Sequence, residues 1–249
     1  MSILAGTLAQ LPVLCWELAD ATGPAAADAS GSGHPGVYGG ATFSLQQPGP
    51  EVGTNSALFT GTGGVQTPGP TPVGLPAWSF QAWIGARQLN SIFPNLFAQQ
   101  NAGAGEAIYF ANNQISEVQQ GIRNIGLGVN VNDGNWHQYV WTRDLAALVT
   151  LYVDGLVAYT APGTTVGLPV GGPFQSGLNT GTDAAFFYCV ALWSTALTGA
   201  QVNAMFAAAT GPLQQPANIN TVSGADISTL LGDLVGLLQW VTRDLRNTP

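Results

Sequence analysis

The strongest constraint on the fold is the stretch DGNWHQYVWTRD at 133–144, followed closely by LYVDG at 151–155. Strand alternation in the first stretch predicts two faces, Trp136, Gln138, Val140 and Thr142 against His137, Tyr139, Trp141 and Arg143. Asp154 and Gly155 suit the positive φ angles of a two-residue hairpin turn. These features predict three consecutive antiparallel strands, and they favour His137 as a strand residue bonded to its neighbours over a catalytic base.

Turn signals recur between short runs rich in β-forming residues along the rest of the chain. The remaining predicted strands are Val13–Leu18, Ala57–Phe59, Trp78–Gly85, Asn95–Gln99, Ala107–Ala111, Ile115–Val118, Ile125–Val129 and Ala185–Trp193. Four Gly- and Pro-rich segments are predicted loops: 31–40, 47–53, 61–76 and 162–181. Many strands joined by long loops favour a sandwich over βαβ units. Helices are predicted only at Thr198–Ala208 and late in the chain.

The charge balance excludes some partners. The chain has no lysine, and its five arginines oppose thirteen acids, which gives a net charge of −8. Nucleic-acid binding is not expected, because phosphate neutralisation needs clustered Lys or Arg. The first residues lack the basic region of a signal peptide, and no run has the roughly 18 apolar residues of a membrane span. Synthesis in the cytoplasm without membrane insertion is therefore predicted.

The two cysteines, Cys15 and Cys189, are too few for a disulfide framework. They lie far apart in the sequence and would face each other if the first and last strands of a sheet were neighbours. Two buried thiols are the favoured interpretation, and a bridge is the alternative.

Four segments, in this order, carry a family resemblance. They are LCWELADATGPAAADASGSGHPGVYGG at 14–40, WSFQAWIGA at 78–86, the 133–155 region, and ALWSTALTGAQVNAMFAA at 191–208. Together they resemble the laminin-G-like, concanavalin A-like lectin/glucanase superfamily, in the type found in bacteriophage and bacterial surface proteins. The resemblance implies an all-β jelly-roll sandwich of two antiparallel sheets over residues 1–211.

The resemblance also bears on chemistry. The glycanase branch uses an E-x-D-x-x-E-like strand, whereas Glu17, Glu51, Glu106 and Glu117 do not share that spacing, so no enzymatic activity and no catalytic residue are predicted. This chain has Tyr188-Cys189 where relatives usually carry an acidic pair. No cofactor is predicted, and calcium, which many relatives bind, is the alternative. Its possible donors are Asp133, Asn179 and Asp183, and the alternative is that these residues only form turns.

Sugar recognition in such sandwiches uses exposed aromatic rings and loop amides. Candidates in or near predicted loops are Tyr38, Phe93, Tyr109, Asn112, Asn113 and Phe174. Five other aromatic residues are assigned to the core: Trp16, Phe80, Trp83, Trp136 and Trp193. The sequence does not single out one sugar site.

The C-terminal region differs in character. Residues 212–224 are predicted to be a linker, and residues 225–247 an amphipathic α-helix. The apolar seam of this helix comprises Ile227, Leu230, Leu231, Leu234, Leu237, Leu238, Val241 and Leu245. Because such a seam needs a partner, oligomerisation or anchoring is expected.

Two classes of function remain open at this stage. The first is a non-enzymatic structural virion protein of a bacteriophage, as a head decoration or fibre or a tail component. It would contact other virion proteins and copies of itself, and would attach the particle to cell-surface glycans. The second is a free carbohydrate-binding module or lectin. The apolar C-terminal helix favours the first class, because a free lectin does not need it.

Overall fold

The computed structural model describes residues 1–40, 42–69, 76–88, 95–101, 104–111, 114–119, 133–162, 173–177, 184–209 and 213. The chain divides into two compact units, Met1–Pro216 and Ala217–Pro249, and all the described residues lie in the first. The predicted strand Ile125–Val129 and the predicted helix at 225–247, with its seam from Ile227 to Leu245, lie outside the described residues. The domain bounds, the linker and the helix therefore stay predictions.

The described part contains short helices at its two ends and fifteen strands between them. The helices are α1 Ile3–Leu8 and α2 Gly199–Ala207. The strands are β1 Leu14–Trp16, β2 Ala25–Ala26, β3 Gly36–Gly39, β4 Thr42–Pro48, β5 Asn55–Thr60, β6 Gly64–Gln66, β7 Trp78–Gln88, β8 Asn95–Asn101, β9 Ala104–Ala111, β10 Gln114–Gln119, β11 Trp136–Arg143, β12 Leu148–Val153, β13 Leu156–Pro162, β14 Phe174–Gly177 and β15 Ala184–Trp193.

These strands form two antiparallel sheets. The first sheet has the order β13-β12-β11-β7-β15-β5-β4, and β1 also pairs with β15. The second has the order β10-β9-β8-β14-β6-β3-β2. Each order begins with three strands that are consecutive in the sequence, β13-β12-β11 and β10-β9-β8, and continues with strands from distant parts of the chain. The predicted two-sheet antiparallel sandwich is confirmed.

The core lies between the sheets and is rich in aromatic residues. On β11 the predicted alternation places Tyr139 and Trp141 in this core, where they are 2% and 1% exposed. Other large core side chains are Trp16, Phe59, Phe80, Phe174 and Phe187. Their rings meet in tilted pairs such as Trp16 with Phe174, whose centroids are 5.2 Å apart. Large rings from both sheets therefore fill the space between them, as the interior of a sandwich requires.

The opposite face of the first sheet, here called the outer face, is also buried at its centre. Gln81 and Gln138 are 0% and 1% exposed, although both are polar. Helix α2 covers part of this face, since Phe206 stacks on Trp83 with centroids 5.9 Å apart. Thr198 caps α2 in a capping box with Gln201, which fixes where the helix begins. The predicted helix Thr198–Ala208 is thus confirmed.

The other segment that covers the outer face is the N-terminal strap, defined as Met1–Gln10. Its helix α1 buries Ile3, Gly6 and Thr7. The Ile3 amide donates to Glu51 Oε2 at 3.0 Å, and Gln81 Nε2 donates to Thr7 Oγ1 at 2.9 Å. Trp193 Nε1 donates to the Gln10 carbonyl at 2.9 Å. Sequence reasoning missed α1, because a six-residue helix shows too few turns for a hydrophobic period.

Three of the predicted loops contain short strands. Segment 31–40 holds β3, segment 61–76 holds β6, and segment 162–181 holds β14. All three belong to the second sheet and pair with one another or with a neighbour, through β3–β6 and β14–β6. Glycines concealed these strands. At Gly64 and Gly177 the neighbouring backbones approach so closely that a Cβ atom would not fit, so glycine marks pairing there rather than a turn.

The two cysteines are free and fully buried, which confirms the favoured interpretation. They lie on paired strands, because Cys15 is in β1 opposite Ala191 of β15. Cys189 sits at a register shift in β15 with a left-handed φ of 50°, and its amide donates to the Glu17 carbonyl at 3.0 Å. A hydrogen bond with Cys189, together with burial, raises the pKa of the Cys15 thiol. That thiol is therefore neutral at physiological pH.

Candidate functional site: the His137 cluster and the Asp28 loop

The hairpin that joins β12 to β13 also holds the start of β11. Asp154 and Gly155 have φ angles of 52° and 78°, as the predicted two-residue turn requires. The Asp154 amide donates to the Gln138 carbonyl, and the Gln138 amide donates to Asp154 Oδ1, both at 2.9 Å. The turn aspartate therefore has a second role that the sequence did not indicate, since it continues the β11–β12 pairing with its side chain.

His137 lies between two carboxylates, in what is called here the His137 cluster: Asp133, His137 and Asp154. His137 Nδ1 is 2.7 Å from Asp154 Oδ2, and Nε2 is 3.1 Å from Asp133 Oδ1. The hydrogen bond to Asp154 raises the pKa of His137 against the opposing effect of burial, and Asp133 adds to the rise. The side chains are 18% exposed for His137 and about a third exposed for the aspartates. The predicted role of His137 as a strand residue bonded to its neighbours is confirmed.

The cluster satisfies its own hydrogen-bonding groups. Asp133 Oδ1 accepts from the Asn135 amide and Oδ2 from Asn135 Nδ2, both at 2.8 Å. A histidine with both ring nitrogens engaged by carboxylates holds its proton and has no free nitrogen for general-base catalysis. The arrangement is thus an ion-paired tie between the loop before β11 and the β12–β13 turn.

The same contacts bear on calcium. Asp133 has both oxygens engaged and a cationic imidazole beside it, which disfavours a second cation at that carboxylate. Asn179 and Asp183 lie outside the described residues, so the three-residue site stays a prediction. Within the described ranges, no three His, Cys, Asp or Glu side chains form a group that could hold a metal ion.

The His137 cluster predicts a specific dependence of stability on pH. A raised pKa means that the stabilising contribution of His137 is fully present below its unfolded pKa of about 6.5 and is lost as pH rises through the folded value. His137→Gln should lower the free energy of unfolding by about 2 kcal/mol at pH 6, because it removes hydrogen bonds to charged groups, and by less at pH 9. Urea unfolding at both pH values would measure this.

His34 supplies the matched control. It is the only other histidine, and the described contacts it makes to Trp16 and Asp28 use its backbone. His34→Gln should keep the pH dependence of the wild-type protein. Equal pH slopes for wild type and His137→Gln would contradict the assigned role of the cluster.

A second carboxylate organises the loop between β1 and β3. Asp28 accepts hydrogen bonds from the backbone amides of Cys15 and Ser30 at 3.0 Å and of His34 at 2.8 Å. Burial alone would raise the pKa of Asp28, but these bonds outweigh it and lower the pKa. The loop also holds the core, since Trp16 Nε1 donates to the His34 carbonyl at 2.9 Å. An Asp-x-Ser turn signal stands in the sequence at 28–30, but nothing local in it indicates the bonds to Cys15 and His34.

Every carboxylate whose side chain is described accepts a hydrogen bond from the protein itself. The donors are Tyr188 for Glu17, Ala27 and Tyr38 for Asp20, three amides for Asp28, Ile3 for Glu51, Asn135 for Asp133, Leu148 for Asp144 and Gln138 for Asp154. A glycosidase needs two carboxyl groups facing each other across a substrate. The described acids instead serve as local ties.

Two of the proposed sugar-contacting aromatics are in the core. Tyr38 is 3% exposed on β3 and donates to Asp20 Oδ2 at 2.7 Å, and Phe174 is 0% exposed on β14. Their assignment to sugar contact was wrong, because the glycine-rich segments around them form strands. Phe93, Asn112, Asn113 and the side chain of Tyr109 lie outside the described part. The five aromatics assigned to the core are all buried, at 3% exposure or less.

Two packed antiparallel sheets with crossing connections define a jelly-roll sandwich of the lectin type. A family model described as "Concanavalin A-like lectin/glucanases superfamily" matches residues 59–203. The chain belongs to this superfamily, and the resemblance seen in the sequence is confirmed. No curated protein matches the chain in sequence. No helix in the part of the chain that the structure describes is long and apolar enough to cross a membrane.

Many solved structures share the fold at low sequence identity. One is botulinum neurotoxin type C, from a study of the dependence of its cell entry on two ganglioside molecules; it has a TM-score of 0.66 and 13% identity, over 83% of this chain and 53% of the other. The binding domain of botulinum neurotoxin DC in complex with SialylT has a TM-score of 0.64 and 13% identity, over 82% and 52%. This chain therefore spans about half the length of each neurotoxin chain.

A third similar structure is matched over nearly its whole length. It is domain 4 of AbnA, a GH43 extracellular arabinanase from Geobacillus stearothermophilus, in complex with arabinotriose. The TM-score is 0.63 and the identity 15%, over 78% of this chain and 97% of the other. At these identities the likeness establishes the fold of this chain.

Proposed function

We propose that this chain is a non-enzymatic protein that attaches to glycans through its sandwich. The observation that carries the proposal is membership of the concanavalin A-like superfamily. The three similar structures support it, because they come from work on ganglioside dependence or contain SialylT or arabinotriose. A chain without lysine, in which only 7% of the residues are charged, also suits a ligand that offers hydroxyl groups rather than charge.

The described carboxylates support a binding role over catalysis. Asp133 and Asp154 lie on either side of His137, and both are bonded to its ring. Neither is left to act as an acid or a nucleophile on a sugar. The arabinanase domain is a useful parallel, since it is one domain of a hydrolase and is itself bound to an oligosaccharide.

The finer part of the proposal is the setting, a bacteriophage virion. In this setting the sandwich would be displayed as a head decoration, fibre or tail component, and the C-terminal seam from Ile227 to Leu245 would join copies of the chain or grip other virion proteins. Support comes from the sequence alone: few charges, no lysine and an apolar C-terminal segment. A free carbohydrate-binding module is the competing setting, and the two differ in oligomeric state.

The test uses the intact chain in three measurements. A glycan array with added calcium, and again with a chelator, should give saturable binding to at least one glycan class, and loss of binding with the chelator would add calcium to the proposal. Incubation with the bound glycan should release no reducing sugar. Light scattering should give a mass of two or more times 25.6 kDa, the mass of one chain. The absence of glycan binding in both buffers would overturn the attachment role. Release of reducing sugar would overturn the non-enzymatic role, and a monomeric mass would overturn the virion setting.

A further inference from the structure

Three buried polar atoms on the outer face of the first sheet have no hydrogen-bond partner in the protein. They are Trp83 Nε1, Trp136 Nε1 and Gln138 Oε1. Their residues are 0%, 3% and 1% exposed. By contrast, Trp16 Nε1 and Trp193 Nε1 donate to backbone carbonyls at 2.9 Å. Because unpaired buried polar groups are costly, three such atoms in one place indicate a missing partner.

The strand register places the three side chains together. Gln138 of β11 lies directly opposite Trp83 of β7, and Trp136 precedes Gln138 by two residues on the same face. Directly opposed residues have Cβ atoms about 4.5–5.5 Å apart. Trp136 faces Gly85, which has no side chain, and its ring reaches across to Phe186 at 6.1 Å between centroids. Gly85 therefore contributes no side chain of its own beside the two tryptophans.

The side-chain amide of Gln138 is oriented by the hydrogen bond that its nitrogen makes. Its Nε2 donates to Gln81 Oε1 at 2.9 Å. Gln81 lies opposite Val140, which is on the far side of Gln138 from Trp136. Since the two polar atoms of a planar amide point apart, Oε1 is directed towards the Trp136 side.

We propose that one water molecule is bound among Trp83, Trp136 and Gln138 as an integral part of the fold. A water oxygen accepts from both indole N–H groups, and one of its hydrogens is donated to Gln138 Oε1. This makes about three hydrogen bonds, the usual number for a buried water. The donors and the acceptor exclude an anion, which could not donate to Gln138, and a metal ion, which could not accept from indole groups.

Helix α2 isolates this position from bulk solvent. Phe206 stacks on Trp83 with the two ring planes 9° apart, and so lies over one of the three contributing side chains. The neighbouring Met205 is 1% exposed, and its backbone lies against Gly6 of the N-terminal strap. Exchange of the bound water then requires α2 to move, which predicts a residence time long enough to detect by NMR.

The test is magnetisation transfer from water to the tryptophan indole protons in the intact 15N-labelled protein. Trp83 and Trp136 should show cross-peaks with the sign of dipolar transfer, whereas Trp16 and Trp193, which have carbonyl acceptors, should show none. In Gln138→Met, which cannot accept from water, both cross-peaks should weaken at least several-fold. The far-UV spectrum would verify that the variant folds.

Three outcomes would overturn the proposal. They are the absence of cross-peaks at Trp83 and Trp136 in the wild-type protein, equal cross-peaks at all four indoles, and unchanged cross-peaks in a folded Gln138→Met. The wild-type comparison is decisive on its own if the variant does not fold.

Discussion

Asp28→Ala is expected to lower the free energy of unfolding by about 2 to 4 kcal/mol, because it leaves three backbone amides without their acceptor. The amides belong to Cys15 in β1, to Ser30 in the loop and to His34 before β3, so one change loosens the contact between the two sheets. Asp28→Asn should cost less. Its oxygen can still accept from Cys15 and Ser30, but its NH₂ group would face the His34 amide. Chemical denaturation at pH 7 would measure both.

Asp144→Asn is the control for these variants, because the side chain of Asp144 accepts from only one described amide, that of Leu148. It should cost less than 1 kcal/mol, as a single exposed bond would. The loss of stability at acid pH gives a second measurement. The pKa of Asp28 is lowered, so its contribution is present above its unfolded pKa of about 3.9 and is lost as pH falls. In Asp28→Asn the free energy of unfolding should fall less steeply as the pH is lowered below about 3.9. An unchanged fall would contradict the role assigned to Asp28.

Removal of the N-terminal strap, Met1–Gln10, is expected to lower the free energy of unfolding by about 4 kcal/mol and to expose the thiol of Cys189. Burial of Ile3 alone contributes about 1.5–3 kcal/mol, and the bonds to Glu51, Gln81 and Trp193 add to it. Cys189 Sγ lies 3.4 Å from Thr7 Oγ1, so loss of the strap uncovers the sulfur. Labelling by an aromatic disulfide reagent should be at least ten times faster than in the full chain.

Thr7→Val separates the contribution of one bond from that of the cover. It keeps the strap but removes the hydroxyl that Gln81 and Cys189 contact, and it should cost about 1 kcal/mol with little change in thiol labelling. A truncated chain as stable as the full chain, with thiols as slow to react, would show that the strap is not part of the folded sandwich.

The sequence predicted the parts of the fold that follow a strong local rule. Period-two alternation identified β11, a run of β-forming residues identified β7, and Asp154-Gly155 identified the hairpin. The closing helix was predicted at Thr198–Ala208, within the last of the segments that resemble the family. These features depend on residues close together in the chain, where steric preferences and hydrogen-bonding patterns act directly.

The features that the sequence did not predict depend on contacts between residues far apart in the chain. Strands β3, β6 and β14 were assigned to loops because their glycines serve close backbone pairing, which becomes visible only when the partner strand is known. The buried positions of Tyr38 and Phe174 followed from the same error. The second role of Asp154 was missed because its acceptor oxygens are used by Gln138 and His137, sixteen and seventeen positions earlier.

In the described part of the chain, both helices lie on the outer face of the first sheet. There, α1 and α2 cover the centre of the first sheet, so a ligand with a broad flat surface cannot lie directly on that part of the sheet. A chemical tether on the solvent-facing side of α2, for instance at the exposed Ala204, would hold the molecule by this covered face. Immobilised in that orientation, the protein would keep its second sheet turned away from the support.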